Sequence, residues 1–483
     1  MTIDVAAPKV QATLFKMVGR RPEGSERYNR ASRKFDLTRF LGPGGSIHIQ
    51  KAVNQPTGSC AMVFNDRIDP STLDSVSALI EPMDMIEVRG SVRPHLYQGR
   101  ELPLLMRFFV SEIRHSENAG TAEAPLRTVT VAGEDCGKLL LIHHMWWQVA
   151  ALQQAEVQYL NVFKMQATAG IDVGYLPVGE FMKQLLQVAN LKINKLPPFA
   201  PEQVKPFSIA SSVTEGRVSP NRVASYDGSI WGLMSQYADM PWNEIWCDDR
   251  IPDGGDEPGN EAPVLIFRPS PFRGIDGAMV NPEADSPRGF IISDRYIQTI
   301  ERSRSDRNVA NWFWTPPGAS MLEDGFAVSN ASLQNGSQFD FEHPNNMPSL
   351  YGIKKMEVQS VLLPNEYGGS RPAGGGELVQ WHEKRAQMLR AMNRDNVMWE
   401  DGTLTMAGDE EARCGREVIV RRGGSSWEAY VPSVSHTIRA MADWTTTLSF
   451  VRGTSFNNRI QSGGSVMLQE VGRGPYTRQG AQR

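Results

Sequence analysis

Trp444-Thr445-Thr446-Thr447-Leu448-Ser449-Phe450-Val451-Arg452-Gly453 closes a set of three short strand patterns between Gly402 and Thr454, and its reading decides the fold class. Thr446, Leu448 and Phe450 share one side of an extended strand, because successive side chains of a strand point to opposite faces. Just upstream, Val418 and Val420 flank Ile419, which the alternation turns outward, while Val431 and Val434 stand on either side of Pro432 and Ser433. Alternation of this kind makes a scaffold with one buried face and supplies no acid, base or nucleophile.

The same device fills the other end of the chain, where short alternating runs from about Gln11 to Asp135 are broken at close intervals by Gly, Pro and Asn. In Asp84 to Arg89, Ile86 and Val88 point one way and Glu87 and Arg89 the other. In Leu126 to Gly133, Val129 and Val131 oppose Thr128 and Thr130, and Gly133 permits a sharp exit. Strands at this spacing predict a barrel or sandwich.

Between the two β-rich ends the period changes. Val149, Leu152, Leu160 and Phe163, then Phe181, Leu185 and Val188, recur at helical spacing, and Pro197, Pro198 and Pro201 end that insertion because proline has no amide donor. A short helix is expected around Ile230, Met234 and Tyr237, a loop from Asp248 to Pro263, a strand over Val264 to Arg268, and a helix over Glu377 to Arg394 carrying Leu378, Trp381, Met388 and Met392. The flexible run Gly368 to Gly376 introduces that last helix. The expected organisation is a first β-barrel domain at 1–136, a helical insertion at 137–200, a mixed middle domain at 201–345, a second β-barrel domain at 346–462 and an extended tail at 463–483. The fold class is mixed α+β, mainly β.

Length and charge narrow the function. A chain of 483 residues holds roughly three domains at ~150 residues each. Lys and Arg total 50 against 54 Asp and Glu, a formal net charge of −4, so charge alone gives no drive toward duplex DNA. Cys60, Cys136, Cys247 and Cys414 lie far apart with no histidine at ligand spacing, which reads as buried thiols, not a metal site. The sequence shows neither a basic stretch leading into an apolar run at Met1 to Lys9 nor ~18 continuous apolar residues, and folding in a cytoplasm is expected.

Catalytic signatures are weak throughout. Gly42-Pro43-Gly44-Gly45-Ser46 lacks the lysine of a phosphate-binding loop and reads as a turn. His143-His144 reads as a helix-start cluster packing on a barrel, since adjacent helical residues diverge and cannot easily share one ion. Glu134-Asp135 beside Cys136 reads as strand-end turn chemistry, no histidine base being fixed nearby. Trp231, Trp242, Trp246 and Trp312-Phe313-Trp314 are assigned to core and subunit packing in preference to a sugar groove, and Glu301 to Arg307, with mixed signs, to a solvated or interface surface. No catalytic, cofactor-binding or metal-ligating residue is nominated.

Taken in order, these segments resemble the central hub proteins of phage tail baseplates, a family related to the hubs of type VI secretion spikes. The resemblance rests on Pro82 to Arg89 followed by Arg127 to Asp135, on Asn243-Glu244-Ile245-Trp246 and Leu265 to Phe272, and on Gly402 to Gly408, Arg413 to Arg416, Tyr430 to His436 and Thr445 to Gly453. It implies two tail-tube-like β-barrels per chain, with a helical insertion and an irregular middle domain, and a homotrimer whose six similar barrels match a sixfold tail tube above and a threefold spike below. The implied partners are the tail tube or distal tail protein, central spike or tail fibre proteins, the tape-measure protein and DNA in transit, with only indirect contact to the host envelope. The implied location is the tail baseplate of a virion assembled in the bacterial cytoplasm. Function then resides in contact surfaces, to which 11 Trp, 11 Tyr and 19 Phe are suited, and a mildly acidic total is compatible with a lumen that lets DNA pass. The alternatives are a tail-associated cell-wall-degrading enzyme and the hub of a secretion-system spike.

Overall fold

Alternation at the N-terminal end produces seven strands: β1 (Lys9–Phe15), β2 (Lys34–Asp36), β3 (Ser46–Ala52), β4 (Ser59–Asn65), β5 (Met85–Ser91), β6 (Leu104–Asn118) and β7 (Leu126–Glu134), with a single helical turn, α1 (Val76–Leu79), between β4 and β5. They pair antiparallel in the order β3-β4-β7-β6-β5-β1-β2. Ile47, Ile49, Met62, Phe64, Ile86, Val88, Val129 and Val131 fill one core behind this sheet. The structure, a computed structural model, describes residues 8–17, 34–42, 44–70, 75–118, 126–145, 176–193, 205–218, 228–249, 261–287, 289–316, 337–365, 375–422, 425–440 and 442–455.

The middle of the chain contributes α2 (Lys138–Ile142), β8 (His144–Met145), β9 (Leu176–Pro177), α3 (Val178–Ile193), β10 (Ser208–Ser211), β11 (Arg217–Val218), β12 (Gly228–Ser229), α4 (Ile230–Tyr237), β13 (Asn243–Asp248) and β14 (Val264–Pro269). The helical period places Phe181, Leu185 and Val188 of α3 and Ile230, Met234 and Tyr237 of α4 in a second core. Strands β10, β14 and β13 form a separate small sheet. The expected helical positions Val149, Leu152, Leu160 and Phe163, the three prolines of the insertion, most of the loop after Asp248, and the tail at 463–483 lie outside the described residues.

The remaining elements are β15 (Gly289–Ser293), β16 (Ile297–Ser303), β17 (Trp312–Trp314), β18 (Gln338–Phe339), α5 (Pro348–Tyr351), β19 (Lys355–Glu357), α6 (Gly375–Asn393), β20 (Glu400–Ala407), β21 (Arg416–Arg422), β22 (Ser425–Arg439) and β23 (Trp444–Ser455). Strands β16-β20-β23-β22 follow one another in the sheet, β21 pairs β22, and β15 lies parallel on β21. Thus β15 and β16, from the 201–345 segment, belong to the same sheet as the strands after 346. Leu404, Met406, Val418, Val420, Val431, Val434, Leu448 and Phe450 fill its core. On α6, Met388 and Met392 pack against Trp242 and Phe313.

Where two separate barrels were expected, the described strands form one continuous 13-stranded sheet and no closed barrel. The cause is β22, whose 15 residues exceed the ~5–6 of an ordinary strand. Its first part, Ser425 to Val431, pairs β21, and its second part, Ser433 to Arg439, pairs β3. Register shifts at Glu428/Tyr430 and Tyr430/Ser433 re-aim the strand between these roles and bring Val431 and Val434 to one core although they are three positions apart.

The two β units repeat one another. In chain order β3, β4, β5, β6, β7 give the sheet order 3-4-7-6-5, and in chain order β16, β20, β21, β22, β23 give 16-20-23-22-21. The side chains agree. Across the first unit Ile47 faces Met62, Met62 faces Val131 and Val131 faces Ile113; across the second Ile300 faces Leu404, Leu404 faces Leu448 and Leu448 faces Val434.

Glu87 and Arg89, on the side of β5 away from Ile86 and Val88, are buried at 8% and 4% exposure. Three local expectations are corrected. Ile419, assigned outward, is buried, and the parallel strand β15 runs beside it with Gly289 close to its side chain. Gly133 is not at an exit; it lies within β7, and a side chain there would meet Phe108 and the Phe109 carbonyl, both at 2.4 Å. His143 caps the C-terminal end of α2 and His144 starts β8, so the pair ends a helix instead of opening one.

Candidate functional site

The chain concentrates its buried charge where the two β units meet, and β13 is the strand that carries it. All six residues of β13 are buried. Alternation sends Ile245 and Cys247 into the core under α3 and α4, and Glu244, Trp246 and Asp248 toward the opposite side, where Trp246 joins the core of the second unit.

At one end of β13, Lys51 of β3 donates to Asp248 Oδ1 at 2.8 Å and Asp249 Oδ2 at 3.1 Å, and its Nζ lies 3.8 Å from Asp135 Oδ2. Arg413 reaches both oxygens of Asp248 at 3.2 and 3.4 Å and donates to the Leu104 carbonyl at 3.0 Å. Asp135 accepts from the amides of Gly58 at 2.9 Å and Gly137 at 3.0 Å, so the turn expected there exists but its carboxylate also faces the cluster. Burial opposes the charge on Lys51, yet the three aspartates together outweigh it and hold the ammonium well above the usual lysine range. Burial alone would raise Asp248, but Lys51 and Arg413 win and hold it well below the usual carboxylate range. Asp135 falls the other way: burial pushes it up to about 7, Lys51 opposes, and neighbouring Asp249 adds to the rise.

A second layer continues from the first. The Arg107 amide donates to Asp249 Oδ2 at 3.1 Å, and its side chain donates to Glu87 at 2.7 Å and to the Glu261 carbonyl at 2.9 Å. Arg89 binds Glu261 through two parallel bonds of 3.0 Å and Glu87 at 2.6 Å. Glu261 is 2% exposed, so the polar side of β5 is covered by charge of the matching sign.

At the other end of β13, Glu244 accepts from the Tyr430 hydroxyl of β22 at 2.7 Å, and Arg268 of β14 approaches the same carboxylate at 3.3 Å while its guanidinium sits 5.0 Å from the Trp246 ring. Arg268 also donates to the Gly415 carbonyl at 2.5 Å. Gly415 has φ +76°, and a side chain on it would meet Trp246 at 2.8 Å, so both backbone conformation and space call for glycine. Strand β13 is therefore pinned to the first unit through Asp248 and Asp249 and to the second through Glu244.

Apolar side chains cross the junction as well. Ile438 and Trp444 of the β22–β23 hairpin sit in the core of the first unit, and Val53 of the first unit sits in the core of the second. Trp231, Trp242 and Trp246 are core residues as expected. Trp312 and Trp314 are half-buried; Phe339 stacks on Trp312 at 5.7 Å, and Lys355 lies 3.9 Å from the Trp314 ring. All four cysteines are buried and free. Among the described residues no group of three His, Cys, Asp or Glu side chains is placed to hold a metal ion, and no helix is long and apolar enough to cross a membrane.

The arrangement holds parts together. Its carboxylates are at most 8% exposed, and each binds Lys51, an arginine, a hydroxyl or backbone amides. Glu87 and Arg89 occupy strand positions that alternate with Ile86 and Val88, whereas Lys51 falls in phase with Ile47 and Ile49 and Glu244 in phase with Trp246, so their burial needs partners that local alternation does not reveal.

No protein family and no curated protein sequence matches the chain. Among solved structures it is similar to a tail protein from Neisseria meningitidis MC58, at 12% identity over 92% of this chain and 96% of that one with a TM-score of 0.48. It is also similar to the 43 kDa tail protein of prophage MuSo2 from Shewanella oneidensis, at 10% identity over 92% and 97% with a TM-score of 0.45. A component of the E. coli type VI secretion system follows at 9% identity over 87% and 77% with a TM-score of 0.38. The structural neighbours are phage tail, baseplate and secretion-system proteins, the class that the sequence resembles.

Proposed function

We propose that the chain is a structural, non-enzymatic hub of a phage tail baseplate. It acts as a homotrimer that joins a sixfold tail tube to a threefold spike or fibre assembly and forms part of the channel through which tape-measure protein and DNA leave. The observation that carries this reading is the internal repeat: one chain presents the same five-strand order twice, so three chains present it six times. A rigid connection between the repeats is what an adaptor needs, and Lys51, Asp248, Asp249 and Glu244 supply it by tying both units to β13. The secretion-spike hub is the same machine in another setting, separated by which genes lie beside this one.

Light scattering of the purified full chain tests the reading. A trimer, alone or on addition of tail-tube protein, is expected. A chain that stays monomeric at every concentration and binds neither tube nor spike would contradict it, and turnover of purified peptidoglycan would move the assignment to a cell-wall-degrading enzyme.

A further inference from the structure

The repeat has an unequal ending. In the second unit the overhanging half of β22, Ser433 to Arg439, pairs antiparallel with β3 of the first unit. The strand in the place of β22 in the first unit is β6, also 15 residues long. Only Leu104 to Phe109 of β6 pair β5, and beyond Ser111 the side of β6 turned away from β7 has no strand partner among the described residues. The strand in the place of β3 is β16, which has the same length of 7 residues and, among the described residues, pairs β20 alone. Both edges are exposed; neither contains proline or lysine, and the charges they carry, Glu112, Arg114 and Glu117 on β6 and Glu301 and Arg302 on β16, are of both signs.

We infer that these two edges are the halves of one joint: the β6 overhang of one copy pairs antiparallel with β16 of the next copy, repeating between chains the β22–β3 joint within the chain. This rests on the trimer reading above and specifies the contact by which a trimer closes. The repeat fixes the register. Ile113 corresponds to Val434, both facing the equivalent residues Val131 and Leu448, and Ile300 corresponds to Ile47, both facing Leu404 and Met62. Since Val434 pairs Lys51 and Ile438 pairs Ile47, the transferred register sets Arg114 opposite Ser303 of the partner copy, Ser116 opposite Glu301, and Glu117 opposite Ile300.

Charge agrees with this register. Arg114 falls diagonal to Glu301 and Glu117 diagonal to Arg302, opposite signs on each shared face. Within one chain Arg114 is paired to Glu112, Glu117 to Arg127 and Arg302 to Glu400, all at solvent-exposed sites where ion pairs are worth little and exchange readily. The mixed-sign run Glu301 to Arg307 thereby gains a use as one side of a joint.

The test is a full-length Ser116→Cys/Glu301→Cys double variant under mild oxidation. Opposed residues of an antiparallel pair lie about 4.5–5.5 Å apart at Cα, within disulfide reach, and the native cysteines are buried. The expected result is a reducible ladder on a denaturing gel that stops at three chains, with an Asn118→Cys/Ser303→Cys control, four positions out of register, giving at least tenfold less. A trimer by light scattering that fails to cross-link, or that cross-links equally in the control, overturns the joint while leaving the trimer. A chain that is monomeric by light scattering overturns both.

Discussion

The two β units share strand order and the same four-strand row of facing apolar residues, yet the residues on their second faces differ in kind. In β5, Glu87 stands between Ile86 and Val88 and is buried against Arg89 and Arg107. In β21, Ile419 stands between Val418 and Val420 and is buried opposite Ile291 of β15. The inward alternation therefore sets topology, while the outward residues answer to their surroundings, arginines held by Glu261 in one unit and a parallel neighbour strand in the same sheet in the other. Ion networks and apolar contacts can substitute for one another at such a face, because the desolvation of paired ions offsets much of their attraction.

The sharpest way to break this comparison is to remove the cation at the joint. Lys51→Met leaves Asp135, Asp248 and Asp249 facing one another with Arg413 alone, and the expected loss is about 3–5 kcal/mol by denaturant unfolding. Arg304 is in the equivalent place of the second unit but exposed, and Arg304→Ala is expected within about 0.5 kcal/mol of wild type. Equal losses would show that the repeat is symmetric in energy as well as in path.

Core truncation probes what the units have in common. Met62→Ala and Leu404→Ala remove equivalent, fully buried side chains, and each is expected to cost about 2–5 kcal/mol. One of them proving near neutral would break the equivalence. Tyr430→Phe removes the hydroxyl that Glu244 accepts from, with an expected loss of about 1.5–3 kcal/mol, read in the same unfolding measurement.

A further test is a change of slope with pH. Asp135 is raised to about 7 in the folded chain against about 3.9 unfolded. Between those values the folded state holds the extra proton, so its contribution to stability is full below about pH 4 and is lost as pH rises through about 7. Asp135→Asn is expected to flatten that dependence between pH 4 and 7 in unfolding midpoints, and an unchanged slope would remove Asp135 from the account.

Much of the fold was legible because one-sided burial writes itself into the sequence: Thr446, Leu448 and Phe450 share a core face, and so do Ile86 with Val88 and Phe181 with Leu185. What escaped depends on distant partners. Glu87 is buried against Arg89 and Arg107, which Glu261 binds from a distant segment, and the neighbour of Ile419's strand, β15, also comes from a distant segment; local periodicity reveals neither. Strands β15 and β16 escape local reading because β16 lies at an exposed edge and its two isoleucines, Ile297 and Ile300, stand three positions apart across a register shift. The candidate site was legible only as Asp135 in its turn; its partners Lys51, Asp248 and Arg413 come from three separate segments.

The central claim is that one duplicated unit, tied through β13, closes in three copies into a ring of six similar parts. A three-dimensional reconstruction of the purified full-length oligomer, computed without imposed symmetry, tests it most directly. The account predicts a threefold ring in which the first and second units alternate and superpose on each other. A single-chain particle, or a ring whose two units occupy unrelated positions, would contradict it.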